Sequence, residues 1–183
     1  MKKSLKPAFF IAQAAIIAAL YVVITYFVAA FNLASGAIQV RLSEALTILP
    51  VFTPAAIPGL FIGCILANAL TGGLIWDIIF GSLATLIAAI GTYKLRNTKF
   101  MYTLPPVLSN AIIVPIVLQK AYHMEDAYWF LFLTVGAGEV ISVCVFGFLL
   151  KNVLSRYQKT IFEQDADSVK KEEREEVLKK LED

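Results

Sequence analysis

The feature that most constrains this chain is a series of apolar blocks long enough, or nearly long enough, to cross a lipid bilayer. The first runs from Pro7 to Phe31 without a charged residue. A bilayer core needs about 20 apolar residues per helix. In hydrocarbon only helices and closed barrels satisfy every backbone hydrogen bond. Barrel strands alternate apolar and polar positions, whereas these blocks are continuously apolar, so the expected class is an all-α polytopic membrane protein. Hydrophobic residues make up 58% of the 183, and charged residues only 16%. A soluble domain carries about a quarter charged residues. Lys2, Lys3 and Lys6 precede the first block, as in a signal peptide. A signal-peptide core is only about 7–15 residues long, so the first block is read as a retained span.

Six spans are predicted, at about 8–31, 42–53, 54–70, 75–95, 101–120 and 127–154. The second is short and follows the polar stretch Asn32–Gln39. Thr53 can cap the third, and Pro54 suits a first helical turn, where no amide bond is lost. Thr71-Gly72-Gly73 ends it, because glycine permits the left-handed turn at a helix terminus. The fifth carries Pro105, Pro106 and Pro115, and Pro115 removes a backbone bond, which predicts a bend. Residues 1–157 are read as one six-helix domain and 158–183 as a charged, helical, solvated tail with Val169, Val177, Leu178 and Leu181 as a thin apolar stripe.

Charge sets the expected orientation. Residues 1–162 hold eleven Lys or Arg and five acids, while Glu163–Asp183 holds nine acids and five bases. With both ends in the cytoplasm, the inner segments carry nine bases, Lys2, Lys3, Lys6, Lys94, Arg96, Lys99, Lys151, Arg156 and Lys159. The outer segments carry two, Arg41 and Lys120. Basic residues favour the cytoplasmic side. The five body acids, Glu44, Asp77, Glu125, Asp126 and Glu139, then lie in the outer loops or within the membrane.

A charge inside a bilayer costs about 2.5–3.5 kcal/mol on insertion scales, so intramembrane ionisable residues are functional candidates. Glu139 lies within the sixth span in VGAGEVI, beside Gly136 and Gly138, where small residues admit a close neighbour. It is either a binding group or a carboxyl paired within the bundle. Asp77 opens the fourth span, where a helix N-terminus favours an anion. Trp76 beside it offers a flat apolar face, and the pair suits a planar, nitrogen-rich ring. Trp76 alone would serve equally as an interface anchor. Arg41 and Glu44 are three apart and can simply pair with each other. Asn68 and Asn110 are either ligand contacts or interhelical glue. His123, in the loop with Glu125 and Asp126, is read as solvated. Cys64 and Cys144 sit in apolar runs and are read as packing residues. Ala14 and Ala18, like Ala15 and Ala19, are four apart and give the first span two small-residue faces.

There is no GxxxxGK[ST] loop, HExxH or CxxC, and no second histidine. The chain therefore has no motif for ATP hydrolysis, a metal centre or a nucleophilic triad. No enzyme activity and no cofactor are expected.

Four segments carry a family resemblance: LSEALTILPVFTPAAIPGLFIGCILAN (42–68), GGLIWDIIFGSLATLIAA (72–89), LPPVLSN (104–110) and VGAGEVI (135–141). Over about residues 8–157 the chain resembles the QueT family, the substrate-binding S components of energy-coupling-factor (ECF) importers. The resemblance implies a six-helix S-component bundle in a bacterial cytoplasmic membrane, with both termini in the cytoplasm. It implies capture of a queuosine precursor, a 7-deazaguanine such as 7-aminomethyl-7-deazaguanine, near the outer face. It further implies docking on a transmembrane coupling subunit driven by two cytoplasmic ATPases. The AxxxA face of the first helix makes that contact in the family, and here it matches Ala14 and Ala18 with their neighbours Ala15 and Ala19. The acidic tail lies outside the pattern. For the solute, Arg41, Glu44, Asn68, Trp76, Asp77, Asn110 and Glu139 are the candidate contacts. A carboxylate accepts the paired donors of a guanine-type edge, and Asn or Arg donates to its oxygen.

Three other readings are open. One is an S component for a different vitamin-like or purine-like solute. Another is an autonomous secondary transporter, although no internal repeat is visible. The last is a membrane scaffold, which has no need of several membrane-embedded carboxylates.

Overall fold

A computed structural model describes residues 7–30 and 41–162. The expectations for Lys2, Lys3 and Lys6, for the 32–39 loop and for the tail beyond Phe162 fall outside the described residues.

The described residues form only helices, joined by turns. Helix α1 spans Pro7–Ala30, and a 3-10 helix covers Leu42–Val51. Helix α2 runs over Ala56–Leu70 and α3 over Ile75–Lys94. A short 3-10 turn, Met101–Thr103, leads into α4, Leu104–Ala121. Helix α5, Tyr128–Glu139, passes through a π-helical segment, Val140–Gly147, into α6, Phe148–Arg156. A last turn of helix, α7, covers Gln158–Phe162.

Among the described residues four stretches are long and apolar enough to cross a membrane: Pro7–Ala30, Ile75–Lys94, Met101–Ala121 and Tyr128–Arg156. The segments 42–51 and 56–70 are apolar but shorter. Fifteen residues of α-helix reach only about 22 Å, less than the roughly 30 Å hydrocarbon core. The 3-10 helix between α1 and α2 is unusual, because runs beyond about four residues are uncommon. It survives because Ser43 through Pro50 are all buried. Protein, not lipid, surrounds it, which is the condition for irregular backbone at membrane depth. It packs against the π segment, where a Cβ on Gly147 would lie 3.4 Å from the Ala45 carbonyl oxygen.

Thr53 does not cap α2 from the Ncap position. Its hydroxyl donates to Gln13 Oε1 at 2.8 Å and accepts the Ala55 N–H at 3.3 Å. Gln13 Nε2 in turn donates to the Ile161 carbonyl at 3.0 Å, and Phe162 stacks on Phe52 with centroids 5.1 Å apart. The two ends of the described chain therefore meet at one end of the bundle. The core gathers Ile17, Tyr21, Leu46, Leu49, Leu60 and Cys64, with Phe162 at its edge. Exposed side chains such as Ile16, Phe27, Ile87 and Leu133 are apolar, as a surface in contact with lipid requires.

Helices α1 and α2 touch almost backbone to backbone. A Cβ on Gly59 would lie 2.7 Å from the Ala14 carbonyl oxygen, and one on Gly63 would lie 3.0 Å from Ala18 Cα. The backbone at Ala14 and Ala18 thus packs on α2, with Ala18 buried and Ala14 half-buried. Ala15 and Ala19 are exposed. All four alanines line a groove between α1 and α2 that Pro58, Ile62 and Leu66 complete.

Candidate functional site

The candidate site lies at the opposite end from the Gln13–Ile161 contact and has two tiers. The inner tier is built on the 3-10 helix. Glu44 is fully buried there, and the Tyr21 hydroxyl of α1 donates to its Oε1. Thr85 on α3 donates to the same oxygen at 3.4 Å, and it also reaches Cys64 Sγ at 3.4 Å. Glu44 Oε2 has no hydrogen-bond partner among the described residues. Asn110 on α4 and Glu139 at the end of α5 are also buried, at 2% and 3% exposure, and Asn110 Nδ2 and Glu139 Oε2 are equally unpartnered. Ser142 Oγ, in the π segment, is a fourth such atom. The Asn110 amide is near enough to act on both carboxylates, and Arg41 acts electrostatically on both.

Buried polar groups are nearly always hydrogen-bonded, and an unpaired one costs about 1–3 kcal/mol, more when charged. Among the described residues four buried side-chain atoms are unpaired, and three of them belong to Glu44, Asn110 and Glu139. Both acids sit where the helix departs from α geometry, Glu44 in the 3-10 helix and Glu139 beside the π segment. Single-turn π insertions are frequent at functional sites.

The outer tier is a cavity of about 140 Å³ lined by Tyr21, Arg41, Ser43, Asn68, Thr71 and Asp77, among others. Arg41 Nη2 pairs with Asp77 Oδ1 at 3.8 Å, not with Glu44 three residues on. The Tyr122 hydroxyl donates to Asp77 Oδ2 at 3.3 Å and accepts the Leu74 N–H at 3.4 Å. Burial holds the Tyr122 phenol above its ordinary value, so it remains a donor. Asn68 Nδ2 donates to the Asp77 carbonyl at 3.2 Å and approaches Cys64 Sγ at 3.6 Å. Asn68 is therefore satisfied within the fold, as interhelical glue. Tyr21 belongs to both tiers, since it lines the cavity and holds Glu44.

The structure thus brings together Arg41, Glu44, Asn68, Asp77, Asn110 and Glu139. It does not bring Trp76 to them. Trp76 is 54% exposed, stacks on Phe80 with centroids 5.9 Å apart, and lines an apolar groove with Leu83, Ile113 and Ile116. That groove is larger than the polar cavity, but Lys120 is its only charged lining residue. Sequence reasoning missed Tyr21 and Thr85. A tyrosine or threonine in an apolar span gives little signal until its partner is known. His123 is exposed with φ 52°, a left-handed conformation for which His is enriched. Both cysteines are free, and among the described residues no His, Cys, Asp and Glu cluster could hold a metal ion.

Apolar helices around a buried polar centre define the class as a helical membrane protein. The comparison with known proteins gives the class a family: a profile described as QueT transporter matches residues 11–156, so the chain belongs to the QueT transporter family. The queuosine precursor transporter QueT of Lactococcus lactis subsp. cremoris (strain MG1363) is 29% identical over 168 residues, covering 85% of this chain and 97% of the relative. No solved structure matches the chain.

Proposed function

We propose that this chain is the substrate-capture S component of an ECF-type importer for a queuosine precursor, a 7-deazaguanine such as 7-aminomethyl-7-deazaguanine. The observation that carries the reading is the set of unpartnered atoms on Glu44, Asn110 and Glu139, buried inside a protein of a transporter family. Those atoms offer acceptors and a donor to a flat, nitrogen-rich solute. Asp77, at the rim of the cavity, supplies a carboxylate for the cationic aminomethyl group. Trp76 lies too far round α3 for this role and acts as an interface anchor beside Phe80.

The chain sits in the bacterial cytoplasmic membrane as six spans, the segments 42–51 and 56–70 making up the count. Both termini are cytoplasmic. The meeting of α1 with α7 through Gln13 and Ile161 supports ends on one side, as does the excess of bases at that end. Without an ATP-binding loop of its own, the chain docks on a coupling subunit served by two ATPases. Ala15 and Ala19 are the exposed small residues of α1 and form the docking face, while Ala14 and Ala18 hold α2. The test is mass spectrometry of the solute released from protein purified from its native host. A 7-deazaguanine is expected, and a different solute would overturn the assignment.

A further inference from the structure

We propose that Glu44, Asn110 and Glu139 read the ring edge of the solute, the two carboxylates accepting from its ring N–H and exocyclic amino group and Asn110 donating to its exocyclic oxygen. This rests on the transport reading and adds which residues recognise the ring. The unpartnered atoms are two carboxylate oxygens and one amide nitrogen, from three different elements. Together they present two acceptors and one donor. A ligand edge with two donors and one acceptor matches all three, and a 2-amino-6-oxo ring of guanine type has that edge. An adenine-type edge lacks the second donor group and the oxygen. A hypoxanthine-type edge lacks the amino group.

Asp77 stands apart from this edge in the outer tier, where Arg41 and Tyr122 each engage one of its oxygens and acceptor capacity remains for the aminomethyl group. Glu44 is held in place for the ring edge: Tyr21 and Thr85 bind Oε1 and leave Oε2 free. The outer pair belongs to the rim and the inner trio to the ring.

The experiment is titration calorimetry on the full chain with three probes: 7-deazaguanine, 7-deazahypoxanthine, which lacks the amino group, and 2-amino-7-deazapurine, which lacks the oxygen and with it the ring N–H. In the native chain, losing the amino group should weaken binding by roughly 10- to 100-fold, because it strands a buried carboxylate oxygen. Losing the oxygen and the ring N–H together should cost about 100-fold or more, because it strands the Asn110 amide and a buried carboxylate oxygen. Glu44→Gln or Glu139→Gln should shrink the amino discrimination below about tenfold, since a neutral acceptor replaces a charged one. Asn110→Leu should shrink the discrimination against 2-amino-7-deazapurine by about tenfold, to the part due to the ring N–H, and keep the amino one. Equal binding of all three probes by the native chain would overturn the assignment without any variant. Discrimination surviving unchanged in both acid variants would also overturn it. If the native chain binds none of the probes, the transport reading fails and takes the assignment with it.

Discussion

The Tyr21 hydroxyl of α1 donates to the Glu44 carboxylate of the 3-10 helix, and both side chains are buried. This bond fixes the orientation of a carboxylate that the rest of the site depends on. Tyr21→Phe removes the donor while keeping the ring. Hydrogen bonds to charged groups contribute about 1.5–3 kcal/mol. The variant should remain folded, with a lower midpoint of thermal unfolding and solute affinity reduced by about tenfold or more. An unchanged affinity would show that Glu44 is held by Thr85 and packing alone.

The two tiers should differ in weight. Glu44→Gln and Glu139→Gln each remove a buried carboxylate and should weaken solute binding by about 30-fold or more, the scale for truncating one partner of a dry charged pair. Asp77→Asn acts on a partly exposed ion pair 3.8 Å long, with side chains 26% and 14% exposed. Such pairs contribute about 0–1 kcal/mol, so the ring probe 7-deazaguanine should lose less than about tenfold. Calorimetry ranking Asp77→Asn above both inner variants would invert the proposed order of the tiers.

The two faces of α1 should separate packing from docking. Ala14→Trp and Ala18→Trp push against Gly59 and Gly63, where the backbones already touch. Overpacking typically costs about 1–3 kcal/mol, so these variants should lose thermal stability and solute binding even as isolated protein. Ala15→Trp and Ala19→Trp project outward and should keep both, while losing uptake and co-purification with the coupling subunit. Normal uptake in the Ala15 and Ala19 variants would place docking elsewhere.

Gly59→Ala tests the same seam with one methyl group. The added carbon would meet the Ala14 carbonyl oxygen at 2.7 Å, a backbone atom that no rotamer change can move. Gly136→Ala is the comparison, because its carbon would lie 3.6 Å from Ala111 Cβ, an ordinary contact. Unfolding in detergent should show Gly59→Ala destabilised by about 1–3 kcal/mol and Gly136→Ala much less.

Energy coupling gives a separate prediction. On the proposed ECF reading, in which the ATPases are separate subunits, proteoliposomes holding only this chain should bind the solute without accumulating it. Accumulation driven by an ion gradient would favour a secondary transporter.

Much of the fold was legible because apolar runs in a membrane protein have few alternatives. The expected span at 75–95 appears as Ile75–Lys94, and the one at 101–120 as Met101–Ala121. Helix type was not legible. Nothing in LSEALTILPV distinguishes ten residues of 3-10 helix from α-helix, because burial against α1, α3 and the π segment decides it. Glu44, Asn110 and Glu139 stood out as polar residues in apolar runs, and the structure brings them near one another. Trp76 was grouped with Asp77 by adjacency in sequence. One residue along a helix is about 100° around its axis, which turns the indole toward Phe80 and away from the cavity. Which alanine face of α1 lies inside depended on Gly59 and Gly63, glycines of a different helix.

The seam between α1 and α2 also has a mechanical meaning. Where Ala14 and Ala18 meet Gly59 and Gly63, backbone lies almost on backbone, and the Cβ atoms of Ile17 and Tyr21 border the same seam. Close-packed interiors transmit strain, so the two helices behave as one stiff bar. The outward side of that bar carries Ala15 and Ala19. Its far end carries Asn68, which grips the Asp77 carbonyl at 3.2 Å. The small-residue face of α1 and the rim of the polar cavity are thus joined by a short run of close contacts.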